Sequence, residues 1–135
     1  MIITRRMTLL FAALVAMLCL ADSATTLAVI NSRVGYEANS AIAGLVVYPA
    51  FHAFKFALTV AILYAIHRIA RGDPRLELAS YVTLLTFYSL IVANNLCVYV
   101  LRVGFGFNLT KLFLVFSVIF GIAYGFVYTQ TPHHT

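Results

Sequence analysis

The chain has 135 residues, of which 63% are hydrophobic and only 10% charged, far from the roughly half and quarter of a water-exposed domain. That composition excludes a soluble globular fold, and the length fits about four spans of ~20 residues joined by short loops. The net charge of +5 comes from basic residues scattered singly near span ends. This suits a membrane surface and points away from nucleic acid.

The first apolar run, 7–30, follows Arg5 and Arg6 and imitates a signal peptide in having small residues at 21–24. Leu18 stands where a lipobox before Cys19 needs a small residue, so an uncleaved span is expected. Asp22 lies inside this run. A carboxylate in hydrocarbon costs a few kcal/mol at least, so it needs a partner, a wet cavity or a chemical role. Thr25 and Thr26 follow one turn later on the same side of the helix.

A polar loop, 31–40, carries Glu37 and Asn39 and leads to a second apolar run, 41–70, long for one crossing. Pro49 near its start either bends the helix or sits in its first turn. An oblique entry with a bend at Pro49 is preferred. His52, Lys55 and Thr59 then form a stripe at spacings of three and four. Next, 71–75 reads as a turn: Gly72 ends span two, and Asp73 caps span three with Pro74 in first position. Span three is expected over 78–101, with Tyr81, Tyr88, Asn95 and Arg102 recurring every seven residues on one face.

Span four, 109–128, presents Ser117, Gly121 and Gly125 on successive turns, a small-residue face suited to close packing on another helix. The sequon at Asn108 abuts this span and is expected to go unused. His133 and His134 near the end are a weak metal signal. Cys19 and Cys97 lack the spacing of a metal site or redox pair.

Helical rise puts Asp22 at roughly 22 Å, Lys55 and Ser117 at roughly 18 Å, and Asn94 and Asn95 at roughly 22–24 Å above the inner boundary. All four spans thus contribute polar atoms at one level. Arg5, Arg6, Arg68, Arg71 and Arg75 fall on one side and Arg33, Arg102 and Lys111 on the other, which gives cytoplasmic termini. The fold expected is all-α and polytopic: a single domain, 1–135, of four transmembrane helices in a compact bundle in the cell membrane.

Two readings of the polar layer stand open. In one, Asp22 and Lys55 form a buried ion pair, with Asn94 or Asn95 and the threonines satisfying what remains. In the other, Asp22 titrates or binds a cation in a transport cycle. No nucleophile stands with a base, and Asp22, Glu37 and His52 lack a diagnostic metal spacing. No enzyme, cofactor or metal is therefore expected.

Asp22-x-x-Thr25-Thr26, then Gly35-x-Glu37-x-Asn39, a lysine in span two and Asn94-Asn95 in span three resemble the small multi-pass membrane family of the domain of unknown function 5658. In that family the asparagine is usually followed by proline, whereas Ser40 stands here. The resemblance implies a four-helix membrane fold and carries no activity. It also draws attention to Glu37 and Asn39, placed to cap the polar layer from the outer loop, with an N-cap of span two as the plainer role for Asn39. The expected function is an accessory subunit or assembly factor, meeting other membrane subunits or itself through span four. The alternative is a small homo-oligomeric transporter or channel using Asp22 and Lys55.

Overall fold

In hydrocarbon every backbone N–H and C=O must be satisfied within the protein, so long apolar runs fold as helices. A computed structural model of the chain describes residues 5–35 and 42–130. It contains α1 (Arg5–Asn31), α2 (Pro49–Ile69), α3 (Pro74–Leu101) and α4 (Leu109–Gln130). Each is long and apolar enough to cross a membrane; even the shortest, with 21 residues, extends about 30 Å.

The helix ends follow local chemistry. Ser32 Oγ donates back to the carbonyls of Ala28 (2.6 Å) and Val29 (3.1 Å), closing α1. The second helix does not run through 42–48 with a bend at Pro49, as the apolar run suggested. Residues 42–48 are turns, and Pro49 opens α2. The residue before a proline is driven out of the helical region, and Tyr48 is accordingly extended (φ −95°, ψ 128°). Asp73 caps α3 by accepting from the backbone N–H of Arg75 (3.0 Å) and Leu76 (3.2 Å). The cap and the first-turn Pro74 are as the sequence suggested, and the helix extends the apolar span counted from 78 by a turn that contains Glu77. Asn108 Oδ1 accepts from Lys111 N (2.9 Å), so the sequon asparagine serves as the cap of α4.

Three helices share a ladder of contacts. Val15, Leu63 and Tyr81 form a buried cluster. One turn along, Cys19 meets Thr59, which meets Tyr88. A further turn brings together Asp22, Lys55 and Asn95. Numbers rise along α1 and α3 and fall along α2, so α1 and α3 run parallel with α2 antiparallel to both. The seven-residue stripe of Tyr81, Tyr88 and Asn95 is the face of α3 that supplies all three rungs.

The expectation of a compact four-helix bundle needs correction. Among the described residues no Cα of α4 lies within 8 Å of α1 or α2; α4 packs on α3 alone. The cause is the character of its inner face. Phe116 sets its ring edge-on to Phe87 of α3 (centroids 5.4 Å apart), and Arg75 stacks over Tyr128 at 5.2 Å. Ala123 and Val127 are the buried residues of the helix. The architecture is a three-helix core with a fourth helix on its flank.

Gly35 marks the tightest approach. A Cβ built there would lie 2.7 Å from Val29 Cγ1 and 2.8 Å from Val98 Cγ1, so a side chain would wedge α1 from α3. Overpacking of this kind costs about 1–3 kcal/mol. Gly35→Ala should therefore lower the thermal midpoint in detergent, while Gly44→Ala, with nothing within 4 Å, should leave it unchanged.

Candidate functional site

The third rung of the ladder is the chain's most polar interior point. The Asp22 residue is 3% exposed, and its carboxylate gathers donors from three helices. Lys55 Nζ donates to Oδ2 at 2.5 Å, forming an ion pair. Thr26 donates its hydroxyl to Oδ1 at 3.2 Å, and Asn95 Nδ2 donates to the same oxygen at 3.3 Å. Three of the carboxylate's roughly four lone-pair sites are thus engaged. Asn95 Nδ2 also lies 3.2 Å from Thr25 Oγ1 and 3.0 Å from Thr26 Oγ1, while Thr25 donates to the Asp22 carbonyl at 3.1 Å.

The second rung continues this network. Thr59 Oγ1 donates to the Lys55 carbonyl at 3.0 Å. With its one proton so used, it accepts from Tyr88 Oη at 2.9 Å and from the Cys19 thiol at 3.3 Å. Cys19, read from sequence as a small hydrophobe, is therefore a member of the polar network. The helical spacing of Asp22 and Cys19 on one face was the signal that would have found it.

Not every anticipated residue joins. Asn94 turns away, its Oδ1 accepting from Phe105 N at 2.7 Å, so it holds the loop after α3 and not the carboxylate. Ser117 donates to the Phe113 carbonyl of its own helix at 2.9 Å, so α4 adds nothing to the polar layer. The reason is position: among the described residues α4 packs on α3 alone, and the side chain it brings to the cavity beside Asp22 is the apolar Leu112. Ser117, Gly121 and Gly125 are all exposed, and nothing lies within 4 Å of a Cβ built at either glycine. Among the described residues that face packs on no helix. Glu37 and Asn39 lie outside the described residues.

A cavity of about 300 Å³ opens beside the cluster, with Asp22, Lys55, His52, Tyr88 and Asn95 on its polar side. His52 Nε2 donates to the Val46 carbonyl at 2.8 Å, tying α2 to the turns that precede it. A separate polar group sits at the opposite end of the core. Glu77 is 9% exposed; its Oε1 accepts from Tyr81 Oη at 3.2 Å and pairs with His67 Nδ1 at 2.8 Å. Sequence reasoning missed it because span three was begun at residue 78.

Residues 13–103 match the Domain of unknown function (DUF5658). The chain belongs to this family. The match covers the clamp of Asp22, Lys55 and Asn95 and stops short of α4. No curated protein and no solved structure matches the chain.

Removing one partner of a buried pair leaves the other charge stranded, at about 3–5 kcal/mol. The Lys55 side chain is 26% exposed and Asp22 only 4%, so a stranded lysine can turn toward the cavity whereas a stranded aspartate cannot. Lys55→Met should therefore lower the melting temperature in detergent more than Asp22→Asn. The double variant should recover most of the loss. Purely additive losses would show that the two charges are not coupled.

Proposed function

We propose that the chain is a non-catalytic, multi-pass subunit or assembly factor of a complex in the cell membrane. The observation that carries this reading is the engagement of Asp22 from three sides: its donors come from α1, α2 and α3, so the carboxylate helps to hold the core together. A group so engaged is poorly placed to exchange protons or cations through a cycle. Placing both termini on the cytoplasmic side follows from the five arginines at that end against three basic residues at the other. The small-residue face of α4, with no neighbour among the described residues, is the surface assigned to a partner helix or a second copy.

Purification from native membranes under mild conditions, followed by mass spectrometry, tests the reading. A stoichiometric membrane partner is expected, lost in Gly121→Leu and Gly125→Leu variants whose own melting is unchanged. Homogeneous isolation without a partner counts against it.

The cavity alongside the ion pair favours one second reading, a small homo-oligomeric transporter or channel. Solute flux into liposomes that Asp22→Asn abolishes would select it.

A further inference from the structure

The helices that answer Asp22 bring more hydrogen-bonding groups than it uses, and the surplus belongs to residues lining the adjoining cavity. Lys55 carries three N–H donors and among the described residues spends one, on Asp22; its side chain stays partly exposed. Asn95 contributes an acceptor. Its Nδ2 faces Asp22 Oδ1 and the hydroxyls of Thr25 and Thr26. A carboxylate only accepts, and both threonines spend their protons on Asp22, so chemistry fixes the amide with its NH2 toward α1 and Oδ1 away from it. Among the described residues Oδ1 has no partner, and it is not enclosed as Ser23 Oγ and His52 Nδ1 are. Asn94, also on the cavity wall, commits Oδ1 to Phe105 N and leaves its NH2 open in the same way.

Asp22 sets the spare donor and the spare acceptor side by side. Lys55 is bonded to one oxygen of the carboxylate and Asn95 to the other. Val29, Phe51, Phe87 and Ile91 make much of the remaining wall apolar. Charge narrows what can enter. A cation would meet the Lys55 ammonium. An anion would add an unbalanced negative charge beside Asp22, whose own charge Lys55 already answers. A plain hydrocarbon would leave donor and acceptor unmet in an apolar setting. A primary carboxamide is uncharged and presents an acceptor and a donor from neighbouring atoms on one edge, and its carbonyl keeps a second lone pair for Asn94.

We propose that this cavity binds an uncharged primary carboxamide carried on an apolar body. The ligand's carbonyl oxygen accepts from Lys55, its NH2 donates to Asn95 Oδ1, and its chain or ring lies against Phe51, Phe87 and Ile91. The volume, about 300 Å³, is at the lower end of small-molecule sites, so the amide and the first part of a chain or one ring are enclosed. The site goes beyond the subunit reading and does not depend on it.

The full chain in phosphatidylcholine nanodiscs is mixed with oleamide or with 4-butylbenzamide and examined by native mass spectrometry for retained ligand. The first probe represents a membrane lipid and the second a free small molecule, so their comparison identifies the source. At least one should be retained at one per chain. Its methyl ketone analogue, in which CH3 replaces NH2, keeps the shape and the carbonyl but loses the donor, and should bind about tenfold more weakly. Ile91→Trp, which fills the cavity without altering Lys55 or Asn95, should abolish retention while helix content by circular dichroism is kept. The double variant Asp22→Asn, Lys55→Met, which removes the lysine donor without stranding a charge, should lose retention too. No retention of either amide, equal retention of the ketone, or undiminished binding by Ile91→Trp would each overturn the proposal. Should the double variant fail to fold, the ketone and Ile91→Trp still decide it.

Discussion

A carboxylate buried among apolar helices must be answered, and the answer to Asp22 organises this protein. Lys55 supplies the counter-charge from α2, and Asn95 and Thr26 supply hydrogen bonds from α3 and α1. Because these partners are separated in sequence, satisfying one group brings three helices into a single register. Sliding any of them by a residue would rotate its donor off the shared axis and leave a polar atom in hydrocarbon. Apolar packing alone cannot impose that penalty in a bilayer, where lipid tails offer side chains much the same environment as another helix does.

The arrangement is graded along the core. At one end, Val15, Leu63 and Tyr81 pack as a buried cluster. In the middle, Cys19, Thr59 and Tyr88 exchange hydrogen bonds between uncharged groups. At the other end stands the ion pair, with a cavity next to it. Along these three rungs polarity rises toward Asp22, while the Glu77–His67 pair forms a second polar group beyond the apolar cluster. α4 takes no part in this gradient: it is joined to α3 through aromatic rings, and its small residues face outward.

Much of this was legible in the residues. Four spans followed from composition, and the seven-residue recurrence of Tyr81, Tyr88 and Asn95 named the face of α3 that meets the other helices. The pairing of Asp22 with Lys55 was one of the two readings that depth and charge left open. What escaped notice had local or topological causes. Depth placed Ser117 level with Asp22, but depth carries no information about which helices are neighbours. Asn94 and Asn95 are adjacent and so point about 100° apart on a helix, and only one can face the carboxylate. Pro49 admitted two readings, and the backbone preference of Tyr48 decided between them. Glu77 was overlooked because the apolar span was counted only from 78, although the cap at Asp73 had already placed the helix start a turn earlier. Gly35, noticed only as part of a motif, has a steric reason to be glycine: Val29 and Val98 leave no room for a methyl group.

The separation of the partners along the chain also bears on biogenesis. Lys55 follows Asp22 by 33 residues and Asn95 by 73, so the first helix leaves the ribosome before either partner exists. At roughly 5–20 residues per second the interval to Lys55 lasts a few seconds. During that time an aspartate inside the span disfavours membrane insertion, by up to about 2.5–3.5 kcal/mol, the cost at a span's centre. The leucines, valines and alanines around it must carry α1 into the bilayer against that cost, or the helix must wait at the insertion machinery until α2 arrives. The group that locks the finished protein is thus the one that makes its first step of synthesis the most precarious.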